Sequence, residues 1–242
     1  MVSCQLVDET TNCPLPASED RLMECFHVAT RFEAEYHDPK AFRFNLNALV
    51  TAISSVREIL QKEIEKGGRV SDWNDARVPF KEDPWLNAIK RARNTTLHQK
   101  AIFDGSQADI GLYRWRRHKL SLGAKVSGDT HSQVLLEQWV RSDAGQLFLD
   151  PERSAIGEEY GVWRRYHIKE ISETEDVLTT VRRGIIRTHD MLVVAHGMYG
   201  IEAGALPDEI FLSAESLAAV SVLLESDVDP SLPMTWGWTD DD

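Results

Sequence analysis

No cysteine follows Cys25, and Cys4, Cys13 and Cys25 are the only three in 242 residues, with no CxxC spacing among them. An odd count at such positions excludes a disulfide framework and a Cys-rich zinc site. Long hydrophobic runs are missing as well: nothing approaches the roughly 18 consecutive apolar residues of a membrane span. The first residues, MVSCQLVDETTNCP, carry neither the basic nor the apolar region of a secretory signal. The expectation is a soluble protein of a reducing, cytoplasmic setting, with no membrane partner. Gly-x-Gly-x-x-Gly, Walker-type and Gly-x-Ser-x-Gly motifs are absent too, so no cofactor of the common nucleotide kinds is indicated. Basic residues are scarce, 27 Lys and Arg against 39 Asp and Glu for a net charge of -12. Spread evenly, that charge would repel a nucleic-acid backbone.

Helical periodicity dominates what is present. Residues 1-17, broken by Pro14 and Pro16, read as a loose lead-in. Ser18 is the expected N-cap of a first helix that stops at Asp38-Pro39, with Leu22, Phe26, Ala29 and Phe32 as its buried stripe. In 42-65, Leu46, Leu49, Val50, Ile53, Val56, Leu60 and Ile64 recur at spacings of three and four, which predicts a long core helix ended by Gly67-Gly68. A polar stretch with isolated Trp73 and Phe80 follows. Asp83-Pro84 supplies an N-cap and a first-turn proline for a third helix, WLNAIKRARNTTLHQKAIF. Ser172-Glu173-Thr174-Glu175 has capping-box form and opens a fourth, carrying Val177, Val181, Ile185, Thr188, Leu192 and Ala195 to about Tyr199.

Between the third and fourth helices, residues 105-171 follow another pattern. Leu120, Leu122, Ala124 and Val126 alternate, so 110-126 reads as a strand or hairpin, with a short helix near 131-141 and an extended piece at 160-169. A last helix is expected over 213-225. The fold class is therefore mainly α: an antiparallel four- to five-helix bundle over 18-200, interrupted by a small β-containing insertion at 105-171 and followed by an acidic helix and tail at 201-242.

Several residue pairs invite a chemical reading. Glu24 and His27 form a Glu-x-x-His pair, but a carboxylate-bridged di-metal site needs two such pairs and the sequence has one, so a solvated helix face is favoured. His189 and His196 lie seven apart, about 10 Å along a helix, too far to share a metal unaided. Polar positions bordering the core are the better reading for them, and no metal is assigned. Six Arg and His pairs occur with four to six residues between them, so spacing alone selects none. In RNTTLH, however, Arg93 is followed by Asn94, four residues before His98 and on its helix face. Arginine can hold a phosphate bidentately, and histidine can move protons near neutral pH. Together they suffice for metal-free attack of an RNA 2′-hydroxyl on the neighbouring phosphate.

FRFNLNALVTAISSVREILQKE, followed by RNTTLH, resembles the HEPN superfamily of small helical domains, many of them bacterial toxin or defence ribonucleases. The family pattern is Arg, a polar residue, then His after four to six residues, and Arg93, Asn94 and His98 fit it. The resemblance covers about 18-100 and, more loosely, 172-200. It implies a homodimer whose two motifs face across a cleft. Arg93 would grip the scissile phosphate, His98 would act as general base or acid, and Asn94 would orient the substrate or the histidine. It also implies metal-independent RNA cleavage, with an antitoxin protein as a partner. Other HEPN domains are non-catalytic nucleotide- or protein-binding scaffolds, which is the alternative reading.

The charge is segregated. Residues 201-242 hold ten acids and no Lys or Arg, leaving 27 basic and 29 acidic residues, a net of -2, in 1-200. Within 90-120 eight basic residues, including Arg91, Arg93, Arg114, Arg116 and Arg117, meet two aspartates, and Trp115 interleaves. Arg164 and Arg165 are flanked by Tyr160, Trp163 and Tyr166. Basic groups beside aromatics suit single-stranded RNA, and Arg91, Arg114, Trp115, Arg116, Arg117, Arg164 and Arg165 are the candidate RNA-binding residues. The same pattern equally fits a strand with aromatics facing the core and arginines facing water. The acidic end is a candidate restraint on this basic surface.

Overall fold

The computed structural model describes residues 13-98, 107-114, 124-132, 134-135, 138, 160-169, 171-172 and 175-206. Its element order is α1 (Pro16–Ala34), α2 (Pro39–Lys66), α3 (Val70–Ala76), α4 (Val78–Lys81), α5 (Pro84–His98), β1 (Gln107–Arg114), β2 (Ala124–Ser127), β3 (Tyr160–His167) and α6 (Val177–Gly197). The protein is mainly α, and no described helix is long and apolar enough to cross a membrane.

Two Asp-Pro pairs start helices in the same way. Asp38 Oδ1 accepts the amides of Lys40 and Ala41 at 2.8 and 3.1 Å, and Asp83 Oδ1 those of Trp85 and Leu86 at 3.1 and 3.0 Å. Each carboxylate satisfies amides that the first turn leaves unpaired, and each proline occupies a position where its missing N–H costs nothing. Hence α2 begins at Pro39, three residues before the apolar run that announced it. The buried side chains of α2 include Leu46, Leu49, Ile53, Val56, Leu60 and Ile64. Gly68, at φ +71°, takes the left-handed turn after α2, while the Arg69 amide donates back to the Ile64 carbonyl at 3.1 Å.

Other starts differ from the sequence reading. Ser18 lies inside α1, which begins at Pro16. The cap comes from another helix: Glu63 of α2 accepts the amides of Ala17 and Ser18 at 2.8 and 3.1 Å and also the Ser18 hydroxyl. A carboxylate brought in by packing thus does what a local N-cap was expected to do. Helix α1 also ends at Ala34, and 35-37 turn before Asp38. The Ser172 hydroxyl does accept the Glu175 amide at 2.9 Å, but α6 begins only at Val177. A bridge joins Ile168 to Ser172, with 169 and 171 in a turn, before the helix. The polar stretch after Gly68 forms α3 and α4, which bury Trp73 and Phe80.

Helix α2 packs against α1, α5 and α6, and α6 also contacts α1 and α5, so one core joins all four long helices. The insertion forms an antiparallel sheet of order β2-β1-β3, pairing Ile110 with Ala124 on one side of β1 and with Arg164 on the other. The described parts of the expected strand pieces therefore belong to one sheet, and Leu120 and Leu122 lie outside the described residues. Helical residues at 132, 134, 135 and 138 match the short helix expected there. Tyr166 fastens the sheet to the helices: its ring stacks on Phe42 with centroids 3.7 Å apart and meets Tyr36 edge-on at 5.1 Å. Asp176 accepts the Tyr166 amide at 2.9 Å and the Tyr36 hydroxyl, which turns this carboxylate away from capping α6. The helix expected over 213-225 lies outside the described residues.

Candidate functional site: a cationic cleft

The polar face of α2 turns toward α3, α5 and α6 and forms one wall of a cleft of about 520 Å³. Helical spacing places Arg57, Glu58, Gln61, Lys62 and Glu65 along that wall, while α5 contributes Leu86, Ile89, Lys90 and Arg93. Trp73, Thr188 and Met191 line it as well, and Arg77 follows α3. Five cations against two carboxylates make the lining net positive.

Gln61 organises the end of the cleft nearest α3. Its Oε1 accepts Trp73 Nε1 at 3.1 Å and Arg77 Nη1 at 3.0 Å, fixing the indole and the guanidinium together. Arg93 Nη1 lies 2.8 Å from Glu58 Oε1, and the Arg93 side chain is 26% exposed. The Nε atoms of Arg77 and Arg93 are buried without a hydrogen-bond partner. Arg77 held with the Trp73 indole, and Arg93 elsewhere in the same lining, suit an anionic group carried on a planar or apolar body.

The candidate residues read from the sequence separate in the structure. Arg93 lines the cleft; Asn94 and Arg91 lie on α5 and are exposed. His98 is the last residue of α5, and its side chain lies outside the described ones, as does that of Arg114 at the end of β1. Trp115, Arg116 and Arg117 lie outside the described residues altogether.

Arg164 is a correction: it is completely buried and has no RNA-facing surface. Its guanidinium donates to the carbonyls of Thr130 and Gly128, the latter at 2.7 Å, and to Ser132 Oγ at 3.0 Å, and it lies over the Tyr166 ring at 4.3 Å. Strand alternation puts Arg164 and Tyr166 on one buried face and leaves Arg165 exposed. The arginine and the aromatic thus share the inward side instead of dividing between core and water.

Glu24 pairs with Arg21 on the surface of α1 and His27 is exposed, as a solvated face requires. His189 and His196 are both buried and have separate partners: the Gly204 carbonyl lies 3.1 Å from His189 Nε2, and the Leu192 carbonyl 2.9 Å from His196 Nδ1. Arg57, Gln61, Lys62 and Arg77 were not singled out by motif. The available signal was the polar stripe of α2 opposite its apolar one.

A mainly helical chain with a cationic cleft between α2 and α5 is the class the fold and site define. Residues 7-103 match the family model of bacteriophage lambda protein ea47, a similarity over less than half of the chain. The matched segment includes α1 to α5, hence two walls of the cleft and Arg93, and excludes the sheet and α6. No curated protein and no solved structure matches the chain.

Proposed function

We propose that the protein is a metal-independent endoribonuclease of the HEPN type, acting on RNA in defence or toxin biology in the cytoplasm. The observation that carries this reading is Arg93, set in a net positive cleft with its Nε unpartnered, on the helix that also holds Asn94 and His98. In the reaction, the RNA 2′-oxygen attacks the adjacent phosphorus and the bond to the 5′-oxygen breaks, leaving a 2′,3′-cyclic phosphate and a 5′-hydroxyl. Arg93 neutralises the charge that grows on the non-bridging oxygens. His98 takes the 2′-hydroxyl proton or donates one to the leaving oxygen, and Asn94 orients the substrate. Arg93 and His98 lie five positions apart, about 140° around the helix, so two copies of the chain facing each other divide the two proton transfers. Exposed Arg91 and Arg165 extend the phosphate contacts, and Arg114, Trp115, Arg116 and Arg117 belong to the same RNA-binding reading.

Purified protein incubated with RNA in EDTA tests this reading. Cleavage lost in both Arg93→Ala and His98→Ala supports it, whereas cleavage unaffected by either substitution removes the site assignment. The ion pair of Arg93 with Glu58 favours a second reading, a non-catalytic scaffold that binds nucleotides or a protein partner. RNA retained without cleavage, and released by Arg93→Ala, would decide for it. An antitoxin protein and a restraining acidic end complete the first reading. Deletion of 201-242 should then strengthen RNA binding or cleavage at low salt.

A further inference from the structure

Cys13, Glu19 and His196 come from the segment before α1, the first turn of α1 and the last turn of α6. One ligand atom from each lies within 4.8 Å of the other two. Cys13 Sγ is 3.4 Å from His196 Nε2, which is 3.1 Å from Glu19 Oε1. Tetrahedral zinc, with bonds of about 2.3 Å to sulfur and 2.0–2.2 Å to nitrogen and oxygen, sets ligand atoms about 3.4–3.6 Å apart. The two separations from His196 lie within a few tenths of an ångström of that, and Cys13 Sγ and the Glu19 carboxylate are no more than 4.8 Å apart.

The protons point the same way. The Leu192 carbonyl, 2.9 Å from His196 Nδ1, can only accept, so Nδ1 carries a proton. Nε2, on the other side of the ring, then faces Glu19 Oε1 and Cys13 Sγ, the position from which it would present a lone pair to a cation held among the three. Glu19 Oε1 is buried without a hydrogen-bond partner, so the pair is close but not joined by a well-aligned hydrogen bond. A backbone carbonyl on the far nitrogen is also the usual device that orients a metal-binding histidine. Cys13 Sγ accepts the Leu15 amide at 3.3 Å, which favours a thiolate.

We propose that Cys13, Glu19 and His196 bind one divalent cation of zinc type, which ties the N-terminal segment to the end of α6. The Cys13 thiol gives up its proton on binding, and three protein ligands leave a fourth position for water. None of the three lines the Arg93 cleft, so the ion lies outside the proposed RNA chemistry.

The full-length protein, stripped with EDTA, is titrated with Zn²⁺ alone against a chromogenic chelator. A parallel titration with Co²⁺ reads thiolate-to-metal charge transfer. The expected results are one equivalent of Zn²⁺, a charge-transfer band and a higher Tm with metal. Cys13→Ser should abolish the band and weaken Zn²⁺ at least about tenfold, and Glu19→Gln should weaken it about tenfold. Cys13 lies outside the helices, so Cys13→Ser keeps the test valid even if substitution of buried His196 prevents folding. No stoichiometric binding, or a band or affinity unchanged in Cys13→Ser, overturns the proposal.

Discussion

His37 and Arg164 meet at one hydroxyl: Ser132 Oγ stands 2.9 Å from His37 Nδ1 and 3.0 Å from Arg164 Nη1. Because Ser132 accepts from the guanidinium, its own proton is free to go to Nδ1, which keeps the imidazole neutral. Burial first, then the charge of Arg164, holds His37 down at about 3.

Acid should therefore weaken the fold through His37. Between about pH 6.5, where an unfolded histidine titrates, and the folded value of about 3, the unfolded chain binds the extra proton and stability falls with pH. The limiting slope is about 1.4 kcal/mol per pH unit. Glu33 opposes it: burial pushes its carboxyl up to about 7, so its contribution grows as pH falls from there toward about 4.5. Urea denaturation across this range should give a flatter pH dependence for His37→Gln and a steeper loss in acid for Glu33→Gln. Slopes equal to the wild type in both would refute the assignment.

Adjacent arginines on β3 should separate stability from binding. Arg164→Met leaves the Gly128 and Thr130 carbonyls and Ser132 Oγ without their donor, at a cost of about 3 kcal/mol or more. Arg164→Lys should not rescue it, because an ammonium lacks the planar fork. Arg165→Ala should change Tm little and lower RNA affinity. A stable Arg164→Met protein in chemical denaturation would contradict this account.

Asp83 serves two helices, capping α5 through Oδ1 and accepting Arg187 Nε of α6 through Oδ2 at 2.7 Å. Asp83→Ala should cost about 1–2 kcal/mol from the cap alone, with a further loss from the ion pair. Asp83→Asn, which keeps an acceptor at the cap, should retain part of this stability in the same measurement.

The contact of α5 with α6 has no room at Gly184, where a Cβ would stand 2.9 Å from Ile89 Cγ1. Gly184→Val should cost about 1–3 kcal/mol by overpacking and disturb the cleft that Ile89 lines. Equal or greater Tm in differential scanning calorimetry would show that the helices give way freely.

Glu58 shields Arg93. Glu58→Gln should raise affinity for a short RNA and steepen its salt dependence, since one carboxylate leaves the cleft. Stability should move by no more than about 1 kcal/mol, because the pair is partly exposed. Unchanged RNA binding in a folded Glu58→Gln protein would place the RNA elsewhere.

The four long helices were legible because their causes are local: Asp83-Pro84 starts α5, and apolar residues at three- and four-residue spacing mark the buried faces of α1, α2 and α6, whereas Asp38-Pro39, read as the stop of α1, proves also to cap α2. The true start of α1 was not, because its cap is Glu63, supplied across the helix pair. Arg93 could be singled out by its neighbours in sequence, but the cleft around it required α2, α3, α5 and α6 to be placed together. Alternation along β3 could show that Arg164 and Tyr166 share a face, yet not that the face is the buried one; the stacking of Tyr166 on Phe42 decided that. The sequence by itself determined the mainly helical class through short-range capping and periodicity. Only the tertiary structure could bring Cys13 and Glu19 to His196, because proximity between distant residues is set by how the helices pack and leaves no local pattern.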